Sequence, residues 1–172
     1  ALGMTDVMYE IRLRRLRQTE NLRRLVRETQ LSIDHLMMPV FVVPGYGVRA
    51  EIPSMPGIYQ LSIDQLIQEV QEIAEYRIPG ILLFGQPQHK DSMGSEAYSD
   101  SGIVQQAIRT IKSQLLHIIV ATDVCLWAYT THGHCGLIEK NHILNDATGE
   151  VLSKIALSHA KAGADLIAPS DM

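Results

Sequence analysis

The sequence predicts an α/β fold, the first half of a (β/α)8 barrel behind an N-terminal arm. Three observations carry this. Four short apolar runs alternate with three amphipathic helical patterns, the signature of parallel strands joined by right-handed crossovers. No glycine-rich phosphate turn follows the first run, as an open nucleotide-binding sheet would require. Polar residues follow the second, third and fourth runs, where barrel enzymes keep their chemistry. A small open sheet is the competing architecture.

Residues 1–30 read as the arm, with a helix over 21–28. Residues 31–172 read as the half-barrel, ending after its fourth strand. The first strand is expected over 36–43, with Pro39 inside it, so an edge or strand-entry position is predicted. Residues 52–59 hold two prolines and a glycine and read as a shaped loop. Ser62 and Gln65 have capping-box spacing ahead of a helix whose apolar face is Ile63, Leu66, Ile67, Val70, Ile73 and Ala74. Pro79-Gly80 ends that helix, and 81–84 is a strand buried on both faces.

After a polar loop over 86–100, Asp100 or Ser101 is expected to cap the next helix, buried through Ile103, Val104, Ala107, Ile108, Ile111 and Leu115. The third strand spans 117–126, and 127–144 is a long loop. Asn145-Asp146 caps the last helix, with Val151, Leu152, Ile155, Ala156 and Ala160 inward and Gly163 as its C′ residue. The fourth strand is 164–168.

At 172 residues and 46% hydrophobic content, the chain suits one domain with a real core. It has neither an apolar run long enough to span a bilayer nor a signal-peptide layout, so a cytoplasmic protein is expected. The net charge of −4 is uneven. Residues 1–27 carry seven arginines against Asp6, Glu10 and Glu20, for +4, and the remainder carries −8. Leucines spaced among these arginines, with Tyr9 as the one aromatic there, fit docking on protein better than nucleic acid.

Candidate chemistry concentrates in 117–136. An apolar strand runs into Asp123, then Cys125, then a loop with His132, His134 and Cys135. Asp123 and Cys125, two apart, share one side of the strand. Thiolate and imidazole are zinc ligands, so Cys125, Cys135, His132 and His134 form a metal candidate set. Idle thiols and solvent histidines are the competing reading. Asp123 can orient substrate or move a proton. Ser170 and Asp171, at the tip of the fourth strand, are substrate-contact candidates by position, or an ordinary turn. Lys90-Asp91 reads as solvated loop charge, and no lysine stands at a strand's C-terminal end.

The segment DVCLWAYTTHGHCG (123–136), followed by NDAT (145–148) and AGADLIAPSDM (162–172), resembles the porphobilinogen synthase, or 5-aminolevulinate dehydratase, family. RLRRLRQTENLRRLVRET, MPVFV, SMPGI, LLFG, KDSMGSEAY and GIVQQAIRTIK match the same family in order. The resemblance implies a (β/α)8 barrel whose arm embraces a neighbouring subunit, commonly in octamers. It implies condensation of two 5-aminolevulinate molecules to porphobilinogen on the way to haem and other tetrapyrroles. It implies zinc held by three cysteines, with magnesium as a further cation. Cys125 and Cys135 match the first and third of these cysteines, with His134 as a candidate ligand, while Trp127 stands in place of the second. Asp123 matches a substrate-site aspartate, and Ser170 and Asp171 match the polar strand end.

Trp127 cannot ligate zinc, so affinity is expected to fall. The family's two Schiff-base lysines lie on later strands than this chain reaches, so it is expected to be a fragment or to need a partner, and to form no product alone. A non-catalytic half-barrel serving assembly or regulation is a second expectation. A small zinc-binding α/β domain is a third.

Overall fold

The computed structural model describes residues 13–115 and 117–170, and the chain divides into two units at Ser32. In the first unit, a 3-10 turn over Leu13–Arg17 precedes α1, Glu20–Leu25. The Thr19 hydroxyl caps α1 by accepting from the Leu22 N–H at 3.1 Å. The helix thus ends three residues before the expected 28. It buries no residue, and Leu25 and Leu31 are each more than 80% exposed.

The second unit is built on a six-stranded sheet. Its strands are β1 (Met37–Val42), β2 (Arg49–Glu51), β3 (Tyr59–Leu61), β4 (Gly80–Gly85), β5 (Ile119–Val124) and β8 (Leu166–Pro169), in the order β2-β3-β1-β4-β5-β8. Strands β1, β4, β5 and β8 are parallel neighbours. Helices α2 (Ile63–Glu75), α3 (Ile103–Gln114) and α4 (Asn145–Ala162) make the crossovers. Four parallel strands with three intervening helices are half of a (β/α)8 barrel.

Alternation along each strand sorts the side chains. Val40, Val42, Ile81, Leu83, Val120 and Thr122 face the helices and are at most 3% exposed. The five aliphatic ones pack with Leu66, Val70, Ile73, Val104, Ala107, Ile108 and Ile111. Each fully buried Leu or Ile here contributes about 2 kcal/mol. Phe41, Phe84 and Asp123 have the opposite parity and face the concave side. A second core, around Val124, Leu126, Tyr129, Leu137, Val151 and Ile155, seats α4 under the tip of β5.

Several local expectations are corrected. Residues 49–61 form the antiparallel pair β2–β3 around the predicted loop, and β3 adds to β1, so β1 is an inner strand. Pro39 is tolerated there because odd residues of β1 direct their backbone groups towards β3, as Val43 does in donating to Leu61. The β1–β3 pairing covers Phe41 and Val42, so the missing N–H of Pro39 faces a stretch with no partner strand.

The capping box does not form. Ser62 is the N-cap residue of α2, but its hydroxyl donates to Asp64 Oδ1 at 2.6 Å and accepts from the Val48 N–H at 2.9 Å. Gln65 turns to Asp64 as well. Helix α2 ends at Glu75 through Arg77 in a left-handed conformation, not through Pro79-Gly80. Gly102, not Asp100 or Ser101, is the N-cap of α3, and α4 already includes Asn145. Gly163, at φ 107°, closes α4 as expected. The loop over 127–144 contains a hairpin, β6 (Ile138–Glu139) with β7 (His142–Ile143).

Candidate active site

The tips of β4 and β5 and the loop after β5 surround a cavity of about 360 Å3. Phe41 and Phe84, stacked with ring centroids 5.1 Å apart, form an apolar wall. Asp123, Cys125, Cys135, Gln86, Trp127 and Tyr129 complete the lining. The register Asp123↔Ala168 carries the chain on to Ser170, just past the end of β8 and two residues beyond Ala168. There the Ser170 hydroxyl donates to Asp123 Oδ1 at 2.6 Å. Asp171, the third predicted catalytic residue, lies outside the described residues.

The two thiols are brought together. Cys125 accepts from the Trp127 N–H at 3.4 Å and interacts with Cys135. Its thiol is pushed up to about 11, first by burial and then by the neighbouring Cys135 and the negative charge of Asp123. It is therefore a neutral thiol near pH 7. His134 is not brought to this pair. It lines a separate cavity with Gly136, Ile143 and Thr148, and its Nδ1 accepts from the Gly136 N–H at 2.9 Å. His132 Nδ1 accepts from the His134 N–H at 3.2 Å. Both imidazoles serve their own loop.

Among the described residues, no three His, Cys, Asp or Glu side chains are grouped to hold a metal ion. Two thiols with an indole in place of the second cysteine do not fit zinc, which takes at least three protein ligands in catalytic sites.

A second loop steadies the first. Asp91 pairs with Thr130 in a parallel bridge, and the Thr131 N–H donates to the Asp91 carbonyl at 3.0 Å. The Ser95 hydroxyl, followed by the Ser95 and Met93 N–H groups, holds the Asp91 carboxyl below the usual carboxylate range. Glu96 accepts from the Gln88 and His89 N–H groups. Asp91, which reads as solvated charge in the sequence, thus joins the loops after β4 and β5. Gln86 and Tyr129 escape sequence reasoning as site residues; the signal available was their place one and five residues beyond a strand end.

The family model described as delta-aminolevulinic acid dehydratase matches residues 10–172. A delta-aminolevulinic acid dehydratase from Halalkalibacterium halodurans is 56% identical over 161 residues, covering 94% of this chain and 49% of that protein. One from Synechococcus elongatus is 52% identical over 165 residues, covering 94% and 51%. The chain spans about half the length of these relatives. The crystal structure of delta-aminolevulinic acid dehydratase (porphobilinogen synthase) from Toxoplasma gondii ME49, in complex with the reaction product porphobilinogen, superposes with a TM-score of 0.88 at 35% identity. That match covers 95% of this chain and 47% of the other. The chain belongs to the delta-aminolevulinic acid dehydratase family.

Proposed function

We propose that this chain supplies one half of a porphobilinogen synthase, an enzyme that condenses two 5-aminolevulinate molecules to porphobilinogen with loss of water, in tetrapyrrole and haem synthesis. The observation that carries the reading is the strand-end cavity in which Asp123, bonded by Ser170, faces an apolar wall of Phe41 and Phe84. 5-Aminolevulinate has an ammonium, a ketone and a carboxylate. The Asp123 carboxylate attracts the ammonium, more strongly beside aromatic walls than in water. Ser170 fixes the carboxylate's direction. The stacked phenylalanines bury the methylene chain and keep water away. Ser170 and, by the family resemblance, Asp171 complete this substrate contact.

None of the five lysines (90, 112, 140, 154, 161) lines the cavity. The reading assigns imine formation to lysines in the half of the relatives' length that this chain does not span. The exposed leucines of the arm, Leu16 and Leu25, suit docking on a neighbouring subunit, so the reading includes a homo-oligomer. Two free cysteines, Cys125 and Cys135, suit the reducing cytoplasm.

The test is a colour assay for porphobilinogen with 5-aminolevulinate as substrate. The full-length protein is expected to form product, and the 172-residue chain alone none. A full-length protein without product removes the proposal. Turnover by the short chain alone removes the assignment of the lysines.

A further inference from the structure

Gln86 lines the cavity and has no role in the scheme above. It stands one residue past β4 but keeps strand geometry, because its N–H donates to the Val42 carbonyl at 2.9 Å and extends the β1–β4 ladder. Its side chain therefore falls on the concave side with Phe84, two residues before it. Gln60 reaches it there from β3, where pairing with Phe41 puts it on the same side. The Gln60 Nε2 donates to Gln86 Oε1 at 3.0 Å. Among the described residues, neither side-chain amide makes another hydrogen bond. A carboxamide has two N–H donors beside its oxygen. With the oxygen taken by Gln60, Gln86 keeps its donors for the cavity, and exchanging O and N in the pair still leaves it one.

The pairings Phe41↔Gln60 and Phe41↔Phe84, continued by Leu83↔Thr122 one residue short of Asp123, set a single row across the concave face. Its order is Gln60, Phe41, Phe84, Asp123. Three strand spacings, about 14 Å, separate β3 from β5. The Gln86 side chain, turned from β4 to Gln60, carries its amide towards the Phe41 end of the stacked wall and away from Asp123.

We infer that the Gln86 amide is a substrate-binding donor for the carboxylate of 5-aminolevulinate, with Gln60 as the positioning residue that fixes its direction. The inference rests on the proposed function and deepens it. The substrate's polar groups sort by their order along its carbon chain. The ammonium is drawn to Asp123, and N–H donors cannot hold it. The ketone carbon is bonded to the carbon that bears the ammonium, so it stays near Asp123. The carboxylate lies at the other end of the chain, which the phenylalanine wall carries towards Gln86. An anionic acceptor also gains more from an N–H donor than a neutral one does.

The test measures KM for 5-aminolevulinate in the full-length protein with two substitutions. Gln86→Leu keeps the bulk and removes the donors, so KM should rise at least about tenfold. Gln86→Glu still accepts from Gln60 but sets a negative charge against the substrate carboxylate, so its KM should rise further than that of Gln86→Leu. Equal rises in the two variants would put the ketone at Gln86 and overturn the inference. A glutamate variant nearer to the parent than the leucine variant would mark Gln86 as a structural partner of Gln60, and overturns it too. So does an unchanged KM, or a loss confined to kcat. A parent protein that forms no porphobilinogen overturns the proposed function, and the inference with it. A normal parent with any of the other failures overturns the inference alone.

Discussion

The Ser170 hydroxyl donates to Asp123 Oδ1 at 2.6 Å and ties the tip of β8 to the tip of β5, residues 47 apart in sequence. A hydrogen bond to a charged group contributes more than a neutral one, about 1.5–3 kcal/mol. It also fixes the direction in which the remaining carboxylate lone pairs point.

Substitution at this pair should separate charge from orientation. In the full-length protein, Asp123→Asn keeps the shape and removes the charge that attracts the substrate ammonium. Its kcat/KM for porphobilinogen formation should fall at least about a hundredfold. Ser170→Ala leaves the charge and loses the orienting bond, so a loss of about tenfold is expected, and Ser170→Thr should restore most of it. Steady-state kinetics read all three. Wild-type rates in Asp123→Asn would remove Asp123 from the site.

The pair shows what sequence periodicity conveys. Asp123 and Cys125 read correctly as sharing one face because a strand's period is two, whatever the surroundings. The four parallel strands and their helices were legible for the same reason: their buried residues keep strict spacing. The capping error has another cause, competition for hydrogen bonds. Ser62 has a capping-box partner in the sequence, but Asp64 and the Val48 N–H lie closer and take its hydroxyl.

The β6–β7 hairpin was hidden because Lys140 and Asn141 make its tight turn with positive φ at both residues, where the recognisable signal is Asn-Gly. The histidines were misleading by composition. His132 and His134 look like ligands beside two cysteines, but a glycine-rich loop offers unpaired N–H groups next door, and the imidazoles accept from these. The contact that joins Asp91 to Thr130 has no sequence signature, because it pairs two loops after different strands.

His159 makes stability depend on pH. It is 1% exposed on α4, with Nδ1 at 3.1 Å from the Thr122 hydroxyl, and its Nε2 has no partner among the described residues. Burial lowers its pKa from the usual 6.5 to about 4. Between these values the unfolded chain binds a proton that the folded chain does not. The folded state is therefore favoured fully above pH 6.5 and loses stability as pH falls towards 4. The loss is on the order of 3 kcal/mol. Urea unfolding at pH 5 and pH 7.5 should show a lower midpoint at pH 5, and His159→Met should flatten the difference. The same slope in His159→Met would place the titration elsewhere.

Trp127 gives the sharpest test of the thiol pair. It is 58% exposed and lines the same cavity as Cys125 and Cys135, so replacing it disturbs no core packing. Two thiolates leave zinc short of the three or four protein ligands it usually takes. The full-length protein, dialysed against a mild chelator, should keep less than about a tenth of an equivalent of zinc, given the tight binding that complete sites show. Trp127→Cys puts a third sulfur at the cavity wall and should raise retention to about one equivalent. Elemental analysis of both proteins reads the result. Full retention by the parent would mean that a ligand outside the described residues completes the site. Equal loss from both would mean that Cys125 and Cys135 are held in place by loop packing, and that a third thiol does not turn the pair towards a metal.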